Sequence, residues 1–430
     1  MKKFQLQISN YRFQLVEIAI LFFAYLLMEN IFSWICLPVS TILLNYEKIL
    51  SIVIYGFMLY KFMNLTTSEK IYIGLFTLIL IRMVFESLNK YNTPFQQFTL
   101  FTVLFPVVYT IFIKYILRIY NLDILEFIAK FYIFTYIVIM LFYGRGFSFS
   151  LESVDMDDYG PVSGDSRIVH ARSIFTMIIP LLYYMHRYIA TRKWIFLATF
   201  LFCFVVILLH QHRSVWSSAL VAMFFYFLSC LITGKIEVTR FTNLALGSVV
   251  AIGVAIFFLS NFVPGFIDFI ADRFSEILDP TRDEGTGSFR QMQRLTYYPM
   301  FLERPIFGWT FEGFELQNPL VDWWPEKTGQ HFHEGYIEML YYHGIVGIVL
   351  KYSFLLYMIV KAFSRKLSDE SIILVAFSIS GLVFSFSYVL PLVFWGHVGM
   401  CLYYLEKDGV KVARKLVEIK KGLPSGKMAL

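Results

Sequence analysis

"WIFLATFLFCFVVILLHQHRSVWSSALVAMFFYFLSCLIT", residues 194–233, holds two apolar runs separated by the polar turn HQHRS. A run of roughly 17–25 apolar residues is what a helix needs to cross a hydrocarbon core. The bilayer interior offers no partner to an open backbone, so such a run must close its hydrogen bonds within a helix. The stretch therefore reads as a helical hairpin whose turn, carrying His210, His212 and Arg213, sits at one membrane face.

Outward from this hairpin the same pattern repeats along nearly all of the 430 residues. With 58% hydrophobic, 19% aromatic and only 16% charged residues, and a mean hydropathy of +0.63, the chain has too little polar surface to cover a soluble globule. About twelve spans meet the length criterion, at 14–32, 46–63, 70–88, 98–116, 122–142, 170–190, 194–210, 214–233, 241–261, 344–363, 372–389 and 392–405. The expected fold is all-α, a polytopic integral membrane protein with a large, partly helical loop between the ninth and tenth spans. Its expected units are nine spans in 1–261, an outer loop in 262–343, three spans in 344–406 and a basic tail in 407–430. Glu17, Glu29 and the lack of a small-residue cleavage site make the first span a retained anchor, not a signal peptide.

Lys and Arg fix the orientation. Lys2, Lys3 and Arg12, then Lys61 and Lys70, Lys114 and Arg118, Arg187 to Lys193, Lys235 and Arg240, and Lys361 to Lys366 fall on alternate loops, which the positive-inside rule assigns to the cytoplasm. The basic tail falls there too, so both termini are cytoplasmic and the 262–343 loop lies outside. The net charge of +6 is thus a topology signal with some attraction to anionic lipid. It gives no basis for nucleic-acid binding. Cys36, Cys203, Cys230 and Cys401 lie in or beside apolar spans without paired spacing, so neither a disulfide framework nor a zinc site is readable.

The outer loop opens with "VPGFIDFIADRFSEILDP" (263–280), in which Phe266, Phe269, Ile270, Phe274 and Ile277 recur at helical spacing, as in a helix lying on a membrane surface. Next comes "TGSFRQMQRLTYYPMFLERPIFGW" (286–309). Thr286 or Ser288 can cap a helix there, and Arg290 and Arg294 share one face a turn apart. Pro299 is expected to kink or end that helix, and Pro305 with Gly308 closes the segment. A plain alternative for the arginines is a solvated face paired with Asp283, Glu284 or Glu303. A smaller outer loop carries Asp155, Asp157 and Asp158. A solvated acidic run is its ordinary reading, and no metal site is assigned.

The loop ends in "HFHEGYIEMLYYHGIVG" (331–347). If the segment is helical from His333, Gly344 and Gly347 project to nearly the same face as that histidine. Small residues there would let a second helix approach closely. His333 would be held at the top of that contact, with a ring that ordinarily titrates near about 6.5 and suits a general base. Interfacial packing of His and Tyr is the plain alternative. Arg213 can likewise be a snorkelling arginine, although its outer position runs against the charge rule and Trp216 follows one turn on. Cations kept near hydrocarbon at a cost of about 2.5–3.5 kcal/mol at its centre point to an anionic partner at the lipid interface.

Taken together these motifs resemble the O-antigen ligase and O-antigen polymerase superfamily, bacterial glycosyltransferases acting outside the cytoplasmic membrane. The resemblance rests on "RSVW" (213–216), on Arg290 ahead of the Pro305-x-x-Gly308 turn, and on His333-Glu334 followed, after nine intervening residues, by Gly344-x-x-Gly347. Glu334 departs from the Asn, Ser or Arg that ligases usually place after this histidine. The resemblance implies an inner-membrane enzyme with its active site on the periplasmic face, moving a glycan from a polyprenyl (undecaprenyl) diphosphate donor to an acceptor hydroxyl. The implied acceptor is lipid A-core, in lipopolysaccharide biosynthesis, and the implied reaction is inverting, free of metal and cofactor. Arg213, Arg290 and Arg294 would hold the diphosphate and His333 would face the acceptor. His331, Glu334, His212 and Trp216 rank second. A repeat-unit polymerase, working with a chain-length regulator, shares the donor chemistry. A transporter of lipid-linked glycan would instead predict charges at mid-bilayer and broken helices in paired repeats.

Overall fold

The computed structural model describes residues 5–8, 11–14, 37–94, 98–143, 171–210, 212–237, 286–309 and 332–422, with single positions 239, 242 and 311. Most of the first span, the acidic loop around Asp155, the ninth span, the 263–280 helix, His331 and the last eight residues lie outside the described residues.

Apart from one hairpin the described residues are helical. The exception is a short N-terminal hairpin beside an otherwise all-α fold: β1 (Gln5–Ile8) pairs antiparallel with β2 (Tyr11–Gln14), matching Leu6 with Phe13 and Ile8 with Tyr11. The cause is legible in "QLQI" and "YRFQ", which alternate with period two across a two-residue connection.

The helices follow the apolar runs: α1 (Leu37–Tyr60), α2 (Thr67–Tyr91), α3 (Phe98–Leu104), α4 (Pro106–Tyr120), α5 (Leu125–Tyr143), α6 (Ala171–Thr176), α7 (Ile178–Thr191), α8 (Trp194–Leu209), α9 (Arg213–Ile232), α10 (Thr286–Glu303), α11 (Gly335–Ala362), α12 (Asp369–Phe384) and α13 (Leu392–Gly422). Among the described residues, α2, α9 and α11 are long and apolar enough to cross a membrane.

In two runs expected as single spans a proline interrupts the hydrogen-bond ladder, while the backbone at Phe105 and Met177 stays helical. Phe105 separates α3 from α4, and Pro106 takes the first helical position, where its missing N–H has no cost. Met177 separates α6 from α7, and Pro180, whose ring would press on the carbonyl four residues back, follows shortly after. Conversely, α13 continues far beyond the expected end at 405, into the basic tail.

The bundle has two chemically distinct ends. At one, Glu69 begins α2 and takes Lys114 at 2.8 Å and both terminal nitrogens of Arg118 at 3.1 Å. Glu406 of α13 pairs with the same two cations. Two residues on, Asp408 accepts from Ser368 and Ser371 at the start of α12, and the neighbouring Asp369 pairs with Lys235 and with His186. The loops expected to share one membrane face are thus joined by contacts at one end.

α9 and α12 pack side by side, with Lys235 just past α9 touching Asp369 at the start of α12. The pair is antiparallel. The head of α9, Arg213, therefore stands at the end of the bundle where α12 finishes in the turn Ser385–Tyr388.

Candidate active site

The turn between α8 and α9 is tied from within. The Trp216 indole donates to the Ile207 carbonyl at 2.9 Å. Tyr136 shares a 3.0 Å hydrogen bond with His210, and the His210 and His212 rings lie nearly parallel, 6.3 Å apart. His212 is buried and precedes Arg213, the half-buried first residue of α9. Trp216 therefore holds the turn that presents Arg213.

α10 carries the second set. Its buried face, Gln293, Tyr297 and Phe301, packs inward, and Tyr297, Phe332 and Tyr341 form an aromatic cluster with ring centres 4.7–5.4 Å apart. Phe332 thereby anchors the chain one residue before His333. Gln293 then receives the His333 backbone N–H at 3.2 Å. Arg294 donates from Nε to Glu334 at 2.6 Å, and Arg290 donates from Nε to the Ser387 carbonyl at 3.2 Å with its guanidinium 5.4 Å from the Tyr388 ring centre. One short helix face thus joins Arg290, Arg294, His333 and Glu334. A guanidinium has five N–H donors, so each Nε contact uses one of them.

Glu334 is the N-cap of α11 and its side chain is only 4% exposed, whereas Arg294 is 47% exposed. Burial raises the carboxyl above its ordinary range, and Arg294 with the more distant Arg290 offsets only part of that. Among the described residues the partner of Arg294 is Glu334; of the acids named as alternatives, Asp283 and Glu284 lie outside the described residues.

Two expectations about this segment are corrected. Of a kink or an end at Pro299, the end is excluded: α10 runs through it to Glu303. α11 begins at Gly335, two residues after His333, and does not present His333, Gly344 and Gly347 on one straight face. At Gly344 the backbone turns to φ 59°, ψ −153° and the helix breaks.

The segment 305–309 fills the break. The Ile345 and Val346 N–H groups donate to the Pro305 and Ile306 carbonyls at 2.9 and 3.1 Å, and Trp309 N–H donates to the Tyr341 carbonyl at 2.9 Å. A Cβ on Gly308 would lie 2.4 Å from the Tyr341 carbonyl oxygen, and one on Gly344 would lie 2.6 Å from those of Pro305 and Ile306. Both residues also have positive φ. Only glycine fits at either position. Gly347 faces its own helix, where a Cβ would meet His343 and Met339. The two glycine motifs form one interlock of a turn with a helix, in which, among the described residues, the turn and not a second helix meets Gly344.

Several contributors were not foreseen. Gln293 is signalled only by standing between the arginines, and Ser387 and Tyr388 by nothing local. Lys351 was legible as a lone lysine in the apolar run of α11. It is buried, donates to the Val103 carbonyl at 3.3 Å and sits 5.5 Å from the Trp395 ring centre.

This is a membrane protein whose arginine-bearing helix abuts the head of a broken membrane helix. Residues 198–352, from α8 into α11, match the family model described as O-antigen ligase, which supports the resemblance carried by the motifs. No curated protein matches the chain. The matched region contains Arg213, Arg290, Arg294, His333, Glu334 and the whole glycine interlock.

Proposed function

We propose that the protein is an inverting glycosyltransferase of about twelve spans, facing the periplasm of a bacterial inner membrane and moving a glycan from a polyprenyl diphosphate to an acceptor hydroxyl. The observation that carries this reading is that one stretch of α10 bonds His333 through Gln293 and Glu334 through Arg294, with Arg290 one turn away on Ser387, at the head of a membrane helix. Arg213 and Arg290 bind the diphosphate, which gains charge as the anomeric C–O bond breaks and its electron pair leaves on the phosphate oxygen. Guanidinium groups already in place stabilise that charge in the transition state. The acceptor oxygen attacks from the opposite face and inverts the centre. Its proton passes to His333, a step worth about 10²–10⁴-fold in rate.

Arg294 changes role in this scheme. Its bond to Glu334 makes it chiefly a positioning residue, fixing the backbone that carries His333. The acceptor assigned is lipid A-core, as in a ligase. Glu334 after the histidine favours the second reading, elongation of a lipid-linked repeat unit by a polymerase.

A transporter would use a broken helix and a buried charge, and α11 offers both at Gly344 and Lys351. Transport sites leave half-helix N-termini open to substrate. Here Pro305 and Ile306 carbonyls occupy the Ile345 and Val346 N–H groups, which supports the transferase reading.

The test uses the full chain purified in detergent with a polyprenyl-diphosphate glycan and two acceptors, lipid A-core and a second lipid-linked repeat unit. The expected result is glycan on lipid A-core, reduced at least about 100-fold in His333→Ala and Arg290→Ala. Elongation of the lipid-linked glycan alone would establish the polymerase. No transfer to either acceptor, with glycan crossing reconstituted vesicles, would overturn the transferase.

A further inference from the structure

α10 has two apolar faces. Gln293, Tyr297 and Phe301 pack inward, while Leu295 and Leu302, seven residues apart on the opposite side, are 69% and 56% exposed. Exposed Met292 flanks them. Arg290 and Arg294 lie along one flank and Glu303 along the other side of the stripe. A helix solvated outside the bundle turns polar residues away from its packed face. α10 instead turns Leu295 and Leu302 outward, beside exposed Gln291 and Pro299.

Past exposed Glu303 and Arg304 the apolar surface resumes. After α10 the chain places Ile306, exposed, against α11, where its carbonyl takes the Val346 N–H. Exposed Ile345 stands next to that contact, and exposed Val349 follows one turn along α11, within a helix able to cross a membrane. α10 therefore leads, through the turn at Pro305 and Ile306, into the outward apolar face of a helix long enough to span a membrane.

We infer that α10 is seated in the bilayer, its Leu295–Leu302 face against lipid acyl chains, with Arg294 on the flank at headgroup level. Amphipathic helices bury such faces about 5–10 Å below the headgroup boundary, and arginine at that level extends its guanidinium toward phosphate. α10, expected from the sequence as part of an aqueous outer loop, becomes a membrane element.

The experiment uses the full chain, with its four cysteines replaced by alanine, reconstituted in phosphatidylethanolamine–phosphatidylglycerol vesicles. Spin labels are attached at Leu295→Cys, Leu302→Cys, Ile306→Cys and Glu303→Cys in separate variants. Collision with oxygen, which concentrates in hydrocarbon, is compared with collision with an aqueous nickel chelate. Oxygen should dominate several-fold at 295, 302 and 306, and the chelate at 303. Chelate dominance at 295 and 302 would mean a water-facing helix and would overturn the proposal. Low collision with both would mean that another part of this chain covers the stripe, which overturns it equally.

Discussion

Arg294 and Glu334 form an unequal pair, a half-exposed guanidinium on a buried carboxylate. Burial raises the Glu334 carboxyl above its unfolded value even with the arginine present, so ionised Glu334 costs the fold stability. That cost is absent below the unfolded pKa and develops as pH rises through the folded one. Glu334→Gln should therefore raise the unfolding temperature in detergent at neutral pH and flatten its dependence between mildly acidic and neutral pH. A variant melting lower than wild type at pH 7 would contradict this. Arg294→Leu leaves the carboxylate buried without its hydrogen-bond donor and should lose about 2 kcal/mol, discounted for the exposure of the arginine. Combining it with Glu334→Gln should recover most of that loss. At this scale the sequence was partly legible: the helical spacing of Arg290 and Arg294 put them on one face. Their partners, Ser387 and Glu334, are supplied by distant segments, and spacing within one helix carries no information about them.

Among the elements, the contact between α10 and α11 is decided by backbone, not by side chains. Gly344→Ala and Gly308→Ala each combine a positive φ with a Cβ placed within 2.7 Å of backbone atoms. Neither backbone can yield as a flexible side chain would. Each should cost about 3 kcal/mol or more, seen as a lowered melting temperature and poor recovery from the membrane. Gly74→Ala, in α2 with nothing within 4 Å, should be neutral or stabilise by up to about 1 kcal/mol. If all three behave alike, the interlock has no energetic weight. The two glycine motifs were visible in the sequence as separate signals. Their meeting was not, because helical periodicity presumes an unbroken helix, and Gly344 is where that presumption fails. Most apolar runs did become helices. The ladder interruptions at Phe105 and Met177 had warnings in Pro106 and Pro180, whereas Pro299 gave the same warning and its helix continued.

Across the whole molecule, the alternation of cationic loops foretold that they would gather, and contacts from Glu69 through Asp408 to Asp369 join them at one end. What composition could not reveal is that acids close this end from within. Glu69, 4% exposed, caps α2 through the Thr66 N–H and pairs with both Lys114 and Arg118. Glu69→Gln removes the shared charge from two partly buried cations and should cost about 3 kcal/mol. Glu406→Gln, at the more exposed edge of the same network, should cost about 1 kcal/mol or less. Thermal melts of the two variants in one detergent would decide between this ranking and an equal effect, which would make the network a surface feature only.

The interlock of residues 305–309 with the break in α11 also sets an order on biogenesis. A chain leaves the ribosome from its N-terminus, so Pro305, Ile306 and Gly308 emerge before the strained backbone that receives them exists. Until Tyr341 to Val346 have followed, α10 has nothing to lock onto, and the arginines it carries have no fixed relation to His333. The proposed site therefore closes late, only after the segment that becomes α11 has reached the membrane, and a nascent chain halted earlier would carry the arginines without their fixed relation to His333.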